Sequence, residues 1–232
     1  MSTIAENIAA IRARIDAAAR QTGRTGADIT LVAATKMNDA AACKEAVAGG
    51  IDALGENRVQ ELLAKYAEDA YVGAPLHFIG HLQRNKVRQI VGKVDLIQSV
   101  GSLELLEEIE KCAAKLELVQ DVLLEVNIGG EESKSGFAPE ELEAAAEAAL
   151  THPHIRVLGL MTIPPVETES GGNVPYFEKV RDLYVDINAK LFHNEFKYLS
   201  MGMSGDFAEA IRCGATMVRV GTAIFGARHY NI

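Results

Sequence analysis

The chain has 232 residues, of which 48% are hydrophobic and 24% are charged, so it is long enough to bury one large core. Its net charge of −9 argues against non-specific binding to nucleic acid or to anionic membranes, because both require an excess of basic groups. An anionic small molecule is still an acceptable ligand, because a local pocket can be positive on an acidic protein. We expect a single domain over residues 1–232.

No apolar segment approaches the roughly 18–20 residues that cross a bilayer, and the N-terminal stretch is amphipathic, unlike the core of a signal peptide. The three cysteines, Cys43, Cys112 and Cys213, are far apart and lack the spacing of metal ligands. We interpret them as reduced thiols of a cytoplasmic protein.

The predicted elements begin with a helix from about Thr3 to Thr22, which is followed by short apolar runs that alternate with segments of helical period. The helix carries on one face Ile4, Ile8, Ile11 and Ile15. Strands are predicted at 29–35, 51–55, 76–80, 94–100, 121–128, 155–163, 198–202 and 216–221. Helices between them are predicted near 39–48, 57–69, 83–91, 102–117, 139–150, 174–192 and 204–213.

This alternation is typical of βαβ units and a parallel sheet. Eight strands with intervening helices predict an α/β fold, a single closed (β/α)8 TIM barrel with an extra N-terminal helix. A doubly wound open sheet is the alternative, although it normally uses fewer strands and no GxGxxG motif follows the first one. In a barrel, active groups lie at the C-terminal ends of the strands, and phosphate groups tend to bind beyond strands 7 and 8.

The first predicted strand, ITLVAAT, is followed directly by Lys36. The alternation of side chains places on one face Thr30, Val32, Ala34 and Lys36. If that face points into the barrel, Lys36 lies at its mouth, where desolvation favours the neutral amine that acts as a nucleophile or Schiff-base partner. A lysine that begins the loop and extends into solvent is an equally acceptable interpretation.

Strand 7 ends in LSMGMSGDF, where glycines and serines lead into a predicted helix. Glycines let a phosphate approach the backbone, N–H groups at a helix start point towards it, and Ser200 or Ser204 can add a hydroxyl. A helix N-cap by Ser204 is the competing interpretation, and Asp206 is close in sequence for an anion site.

Strand 8 ends in RVGT, which places Arg219 at the barrel mouth, with Gly221 and Thr222 at the strand end just beyond it. Combined with the turn after strand 7, this pair predicts a phosphate site. For Arg219 alone, an ion pair with Glu56 or Glu125 is the alternative.

Other candidates have weaker signals. Asn57 follows strand 2 at a helix start, where helix capping competes with a role in a site. His77 and His81 are four residues apart, but their segment is predicted to be a strand and a turn, so we expect no shared metal. Lys134 is interpreted as a solvated charge.

With these residues assembled, the chain resembles the YggS/PROSC family, the pyridoxal-phosphate homeostasis proteins. The matching segments are LVAATKMN, GENRVQE, LHFIGHLQRNK, LLEVNIGGEESKSGF, GLMTI, YLSMGMSGDFAEAI and MVRVGTAIFGAR. Members resemble the barrel domain of alanine racemase and hold pyridoxal 5'-phosphate (PLP) as a Schiff base on the strand 1 lysine, which matches Lys36. The other site positions that the resemblance implies are Arg219 facing the pyridine nitrogen, Ser204, Gly221 and Thr222 on the phosphate, and Asn57, His81 and Met203 elsewhere at the mouth.

The resemblance implies a PLP-binding protein that acts in intracellular PLP (vitamin B6) and amino-acid homeostasis without evident catalysis. An arginine at the pyridine nitrogen favours an unprotonated ring, which weakens the cofactor as an electron sink. We expect a monomer whose partners are PLP and PLP-dependent apoenzymes.

The alternative is a PLP-dependent amino-acid racemase, which needs a second proton carrier opposite Lys36. In alanine racemase that group arrives with a β-domain and a partner subunit, and we expect no such domain here. Tyr66, Tyr71 or His81 are the candidates for a second base within this chain.

Overall fold

The computed structural model describes residues 2–131, 134–165 and 171–226. The predicted N-terminal helix is present as α1 (Ile4–Arg20), which begins with a capping box. The Thr3 hydroxyl accepts a hydrogen bond from the Glu6 N–H, and the Glu6 carboxylate accepts one from the Thr3 N–H. The buried face of the helix consists of Ile8, Ile11, Ile15, Ala18 and Ala19. Ile4, at the start of the helix, is only partly buried against the core.

Eight strands form a closed parallel barrel in which each strand pairs with its neighbours in sequence and the last pairs with the first. The strands are β1 (Thr30–Ala34), β2 (Ala53–Glu56), β3 (Leu76–Phe78), β4 (Leu96–Val100), β5 (Gln120–Val126), β6 (Ile155–Thr162), β7 (Tyr198–Ser200) and β8 (Met217–Val220). The predicted barrel is therefore confirmed, and the open-sheet alternative is wrong.

Helices follow the strands on the outside of the barrel. They are α2 (Ala40–Ala48), α3 (Val59–Tyr66), α4 (Val87–Ile90), α5 (Leu103–Lys115), α6 (Leu142–Leu150), α7 (Val174–Leu191), α8 (Phe207–Arg212) and α9 (Thr222–Phe225). The sequence did not predict α9, and 3-10 turns begin the helices predicted near 83–91 and 139–150. None of the helices within the described ranges is long and apolar enough to cross a membrane.

All eight predicted strands are longer than the observed ones. Ile79 and Ile128 illustrate the reason, because both are buried although they lie beyond the ends of β3 and β5. An apolar run therefore reports burial and not the length of the hydrogen-bonded ladder.

The core has two layers. The barrel interior contains a small apolar cluster formed by Val32, Ala53, Leu96, Leu123, Leu158, Met161 and Met217. A larger cluster lies between the sheet and the helices and includes Leu31 and Ala33. The predicted alternation of β1 is thus confirmed, with Val32 facing the interior. The cysteines are buried and free, as expected.

A line of hydrogen bonds crosses the barrel interior from β8 to β3. Arg219 Nη1 donates to Ser200 Oγ (2.6 Å), Ser200 Oγ donates to Gln98 Oε1 (2.6 Å), and Gln98 Nε2 lies 2.9 Å from His77 Nδ1. Because a guanidinium can only donate, the direction of the whole line is set and His77 Nδ1 must accept. Burial lowers the pKa of His77 to about 4, so the ring is neutral near pH 7.

We predict that His77 makes the protein sensitive to acid. Its pKa in the folded state lies below the usual value of 6.5, so the unfolded state binds more protons and stability is lost as the pH falls from 6.5 towards 4. In His77→Gln, a side-chain oxygen can still accept from Gln98 but cannot titrate. Between pH 7 and pH 4, wild type should therefore lose on the order of 3 kcal/mol more unfolding free energy than the variant.

The measurement is denaturant unfolding of both proteins, without added ligand, over this pH range. Taking the difference between the two curves removes the contributions of other titrating groups. Parallel curves would show that His77 is not held neutral in the folded protein.

Candidate functional site

A cavity of about 510 Å³ opens at the C-terminal end of the barrel, between the segments that follow β1, β2, β7 and β8. Seven of the predicted site residues line it: Lys36, Asn57, Met203, Ser204, Arg219, Gly221 and Thr222. His81 is exposed and does not belong to this lining. Burial raises the pKa of Glu125, against the opposing effects of the hydrogen bond from Ser135 and of the charges of Arg219 and His81.

Lys36 reaches the cavity from a position two residues beyond the end of β1. The preceding residue, Thr35, points to the other side of the sheet, where its buried hydroxyl donates to Glu56 Oε1 at 2.5 Å. Side-chain alternation therefore continues past the ladder and directs Lys36 towards the barrel axis. The lysine is half-buried on the cavity wall, unlike a loop residue that extends into solvent.

The turns after β7 and β8 are joined through one hydroxyl. Ser204 Oγ accepts from the N–H groups of Gly221 (3.3 Å) and Ala223 (3.5 Å). The following helix, α8, has Asp206 and not Ser204 at its N-cap, so the capping interpretation of Ser204 is wrong. Within the described part of the chain, the N–H groups of Ser204, Gly205 and Thr222 donate to no protein acceptor. Such free N–H groups around a cavity are a donor set that suits an anion.

The carboxylate of Asp206 does not face this set of donors. Its Oδ1 accepts from the Met203 N–H (2.7 Å) and its Oδ2 from Asn173 Nδ2 (2.8 Å). Both partners hold the buried carboxylate behind the turn, and Asp206 is not among the residues that line the cavity. Its closeness in sequence therefore does not exclude an anion here.

Arg219 forms the floor of the cavity and is 4% exposed, so its predicted place at the open mouth is corrected to a buried one. Its Nη2 donates to the Thr162 carbonyl at 2.8 Å, in addition to the bond to Ser200. Burial lowers the pKa of Arg219 to about 10, against the charges of Glu125 and Asp206, so the guanidinium stays protonated at neutral pH.

The alternative role predicted for Arg219, an ion pair, is wrong. Glu56 pairs with Lys65 at 2.7 Å, and Glu125 accepts from Ser135 Oγ at 3.0 Å. Lys134 is also paired, with Glu131 and the Pro164 carbonyl, and is not simply solvated as the sequence suggested.

Sequence reasoning missed a buried polar cluster on the outer side of β1 and β2. It consists of Thr35, Glu56, Glu61, Lys65 and Tyr71. The spacing of Glu61 and Lys65 by four residues was visible in the sequence, but such pairs usually lie on exposed helix surfaces. Apolar residues also line the cavity, including Ile79, Ile163 and Phe225. Nothing in the sequence distinguishes them from ordinary core residues.

The two tyrosines considered as second bases lie away from this cavity. Tyr66 and Tyr71 line a different cavity of about 630 Å³ near the N-terminal ends of β3, β4 and β5. The Tyr71 hydroxyl donates to Glu56 Oε1 at 3.0 Å, and burial raises its pKa above the usual value. Neither side chain can therefore act on a molecule beside Lys36.

Comparison with known proteins identifies the family of the chain. The family model of the alanine racemase N-terminal domain matches residues 6–229. A pyridoxal phosphate homeostasis protein of Pseudomonas aeruginosa is 46% identical over 100% of this chain and 98% of its own length. Another protein of that name, from Aquifex aeolicus, is 44% identical over 97% of this chain and 98% of its own length.

Solved structures agree with this assignment. PipY of Synechococcus elongatus PCC7942, in a structure with PLP bound, is 32% identical with a TM-score of 0.84, over 97% of this chain and all of PipY (100%). An alanine racemase from Streptomyces lavendulae shares the fold at 18% identity and a TM-score of 0.72, over 97% of this chain and 57% of the racemase. The chain therefore belongs to the alanine racemase N-terminal domain family and, within it, to the pyridoxal phosphate homeostasis proteins.

Proposed function

We propose that the protein binds PLP as a Schiff base on Lys36 and acts in intracellular PLP and amino-acid homeostasis, supplying PLP-dependent apoenzymes. The observation that carries this proposal is one cavity that combines the amine of Lys36 with the free N–H groups of the turns after β7 and β8. The names of the relatives and the PLP-bound structure of PipY support it.

The phosphate would bind at the joined turns. Ser204 and Thr222 offer hydroxyls there, and the N–H groups of Ser204, Gly205 and Thr222 are free to donate. Lys36 and Arg219 are the ionisable side chains among the described residues that line the cavity, and both are cationic when protonated. The site therefore attracts an anion even though the net charge of the chain is −9.

Arg219 would face the ring nitrogen of the cofactor from the cavity floor. Bound PLP supplies a conjugated ring that can withdraw electrons from an attached amine. The guanidinium has donors only, and its bonds to Ser200 and the Thr162 carbonyl hold it in place. It favours an unprotonated ring nitrogen, so this site weakens the electron-withdrawing power of the ring.

The arrangement favours a binding role over racemisation. A racemase needs a proton carrier on each face of the substrate, and Lys36 can serve one face only. His81, Tyr66 and Tyr71 lie outside the lining of the cavity, and its described residues include no other histidine, tyrosine, cysteine or acid. We therefore propose that the chain carries PLP without catalysing amino-acid turnover.

We predict that borohydride reduction of the PLP-loaded protein, followed by peptide mass mapping, places the pyridoxyl group on Lys36. The amine lies on the wall of the cavity beside the anion donors, whereas Lys134 is paired with Glu131. Lys36→Ala should lose the label, and Lys134→Ala should keep it. Labelling chiefly at Lys134 in wild type would overturn the assignment of the anchor.

A second prediction concerns the phosphate. A charge-assisted hydrogen bond contributes roughly 1.5–3 kcal/mol, so the loss of one hydroxyl should weaken PLP binding by about ten- to a hundredfold. Ser204→Ala/Thr222→Val should therefore lose most of the preference of wild type for PLP over pyridoxal, measured by titrating both into cofactor-free protein. A double variant that retains the full preference would mean that the phosphate binds elsewhere.

We also expect no exchange of the α-proton of supplied amino acids that depends on Lys36. Wild type and Lys36→Ala, each supplied with PLP, should incorporate deuterium from heavy water into L-alanine at the same background rate, because Arg219 weakens the electron-withdrawing power of the ring and the described residues of the lining offer no second base. The measurement is proton NMR of the α-position. Exchange that depends on Lys36, accompanied by formation of the D-isomer, would contradict the non-catalytic role.

A further inference from the structure

Two hydrogen bonds from α3 hold the backbone on either side of Lys36. Lys65 Nζ donates to the carbonyl of Thr35, the residue before Lys36, at 2.9 Å. Glu61 Oε1 accepts from the N–H of Met37, the residue after it, at 2.5 Å. Lys65 and Glu61 are themselves joined at 2.8 Å, so the two contacts form one unit.

The sheet holds this segment only as far as Thr35, whose N–H donates to the Gly55 carbonyl of β2 at 2.9 Å. The ladder between β1 and β2 ends at the pair Ala34 and Gly55, and the ladder between β1 and β8 ends at Ala33 and Val220. Lys36 therefore lies beyond the last ladder pair on both sides. Met37 has a φ of +64°, a left-handed conformation that is uncommon for residues other than glycine. Its bond to Glu61 supports a backbone turn that is otherwise unfavourable.

The cation at the centre of this unit is buried and completely paired. The Lys65 ammonium has three donors, and they reach Thr35 O, Glu56 Oε1 and Glu61 Oε1. Burial alone would lower the pKa of Lys65, but the bonds to Glu56 and Glu61 outweigh it, so the pKa lies above its usual value. Lys65 is therefore charged in the folded protein.

Net stability is a weak explanation for such an arrangement. Desolvation of two charges offsets most of their attraction, and apolar residues of similar size often stabilise a protein as well or better. What the ion pair adds is directional hydrogen bonding, which fixes the position of the atoms that it contacts. Those atoms belong to the two peptide groups that flank Lys36.

We propose that Glu61 and Lys65 are positioning residues for Lys36: they hold Thr35 and Met37 so that the amine is directed into the cavity. The inference rests on the proposed function, because Schiff-base formation at Lys36 is what this positioning serves. Glu56 supports the unit by accepting from Lys65 and from Thr35 Oγ1.

The test uses Glu61→Ala, since Lys65→Met would leave the buried Glu56 without its cation and could prevent folding. The Glu61 side chain is 20% exposed, and its loss leaves the pair of Lys65 and Glu56 intact. Two ligands distinguish an effect on the position of the Lys36 amine from a general effect on ligand binding. PLP can form a Schiff base, whereas pyridoxamine 5'-phosphate has the same ring and phosphate but no aldehyde.

Both ligands are titrated into cofactor-free protein, and thermal unfolding of the same samples reports the fold. Glu61→Ala should lower the affinity for PLP on the order of tenfold, because displacement of a reacting amine by a fraction of an ångström is costly. The affinity for pyridoxamine 5'-phosphate should change less than twofold. The ratio of the affinity for PLP to that for pyridoxamine 5'-phosphate should therefore fall at least about fivefold.

Glu61→Gln retains an oxygen that accepts from Met37 and should restore the ratio. Gln60→Ala, at an exposed neighbour on the same helix, should leave both affinities unchanged. A Glu61→Ala variant that keeps the wild-type ratio, or that weakens both ligands equally, would overturn the positioning role while leaving the proposed function intact. If wild type bound PLP no more tightly than pyridoxamine 5'-phosphate, the proposed function itself would fail.

Discussion

The pairing of β1 with β8 is the interaction on which the site depends. Four residues of each strand are in register, from Thr30 and Met217 to Ala33 and Val220, and they close the sheet into a barrel. In an open sheet, Lys36 and the turn after β8 would lie at opposite edges. Closure places a lysine from the first part of the chain beside donors from the last part, and the cavity forms between them. The proposed cofactor site is therefore a direct consequence of the barrel.

Closure also creates an interior that must remain hydrogen-bonded. Apolar side chains fill part of it, but Arg219, Ser200, Gln98 and His77 occupy a continuous polar path through the rest. Both terminal nitrogens of the guanidinium donate to buried acceptors, Ser200 Oγ and the Thr162 carbonyl, which makes a buried guanidinium tolerable in a region of low dielectric. The orientation of Arg219 under the cavity is thus coupled to a histidine on the far side of the barrel.

The side chains of β1 and of the residues after it contact different surroundings on the two faces of the sheet. Val32 packs in the barrel interior, Thr35 turns outwards to the buried Glu56, and Lys36 turns inwards to the cavity. Alternation alone carries this pattern past the end of the strand. Beyond the last sheet contact, at Thr35, hydrogen bonds from α3 support the backbone. A reactive group at the end of a strand can in this way be both accessible and well placed.

The sequence by itself determined the strand and helix alternation of a barrel, the face of β1 that Lys36 shares with Val32 and the glycine- and serine-containing turns, because side-chain periodicity and turn composition are local properties. Whether Lys36 points into the barrel or into solvent was settled only by the tertiary structure. Only the tertiary structure decided the surroundings of each group. Arg219 is buried because Ser200 and the Thr162 carbonyl come from other strands, and Lys65 is buried because Glu56 meets it from β2. His81 lies outside the cavity for the same reason: burial and hydrogen-bond partners depend on residues that are distant in sequence, and no local pattern encodes them.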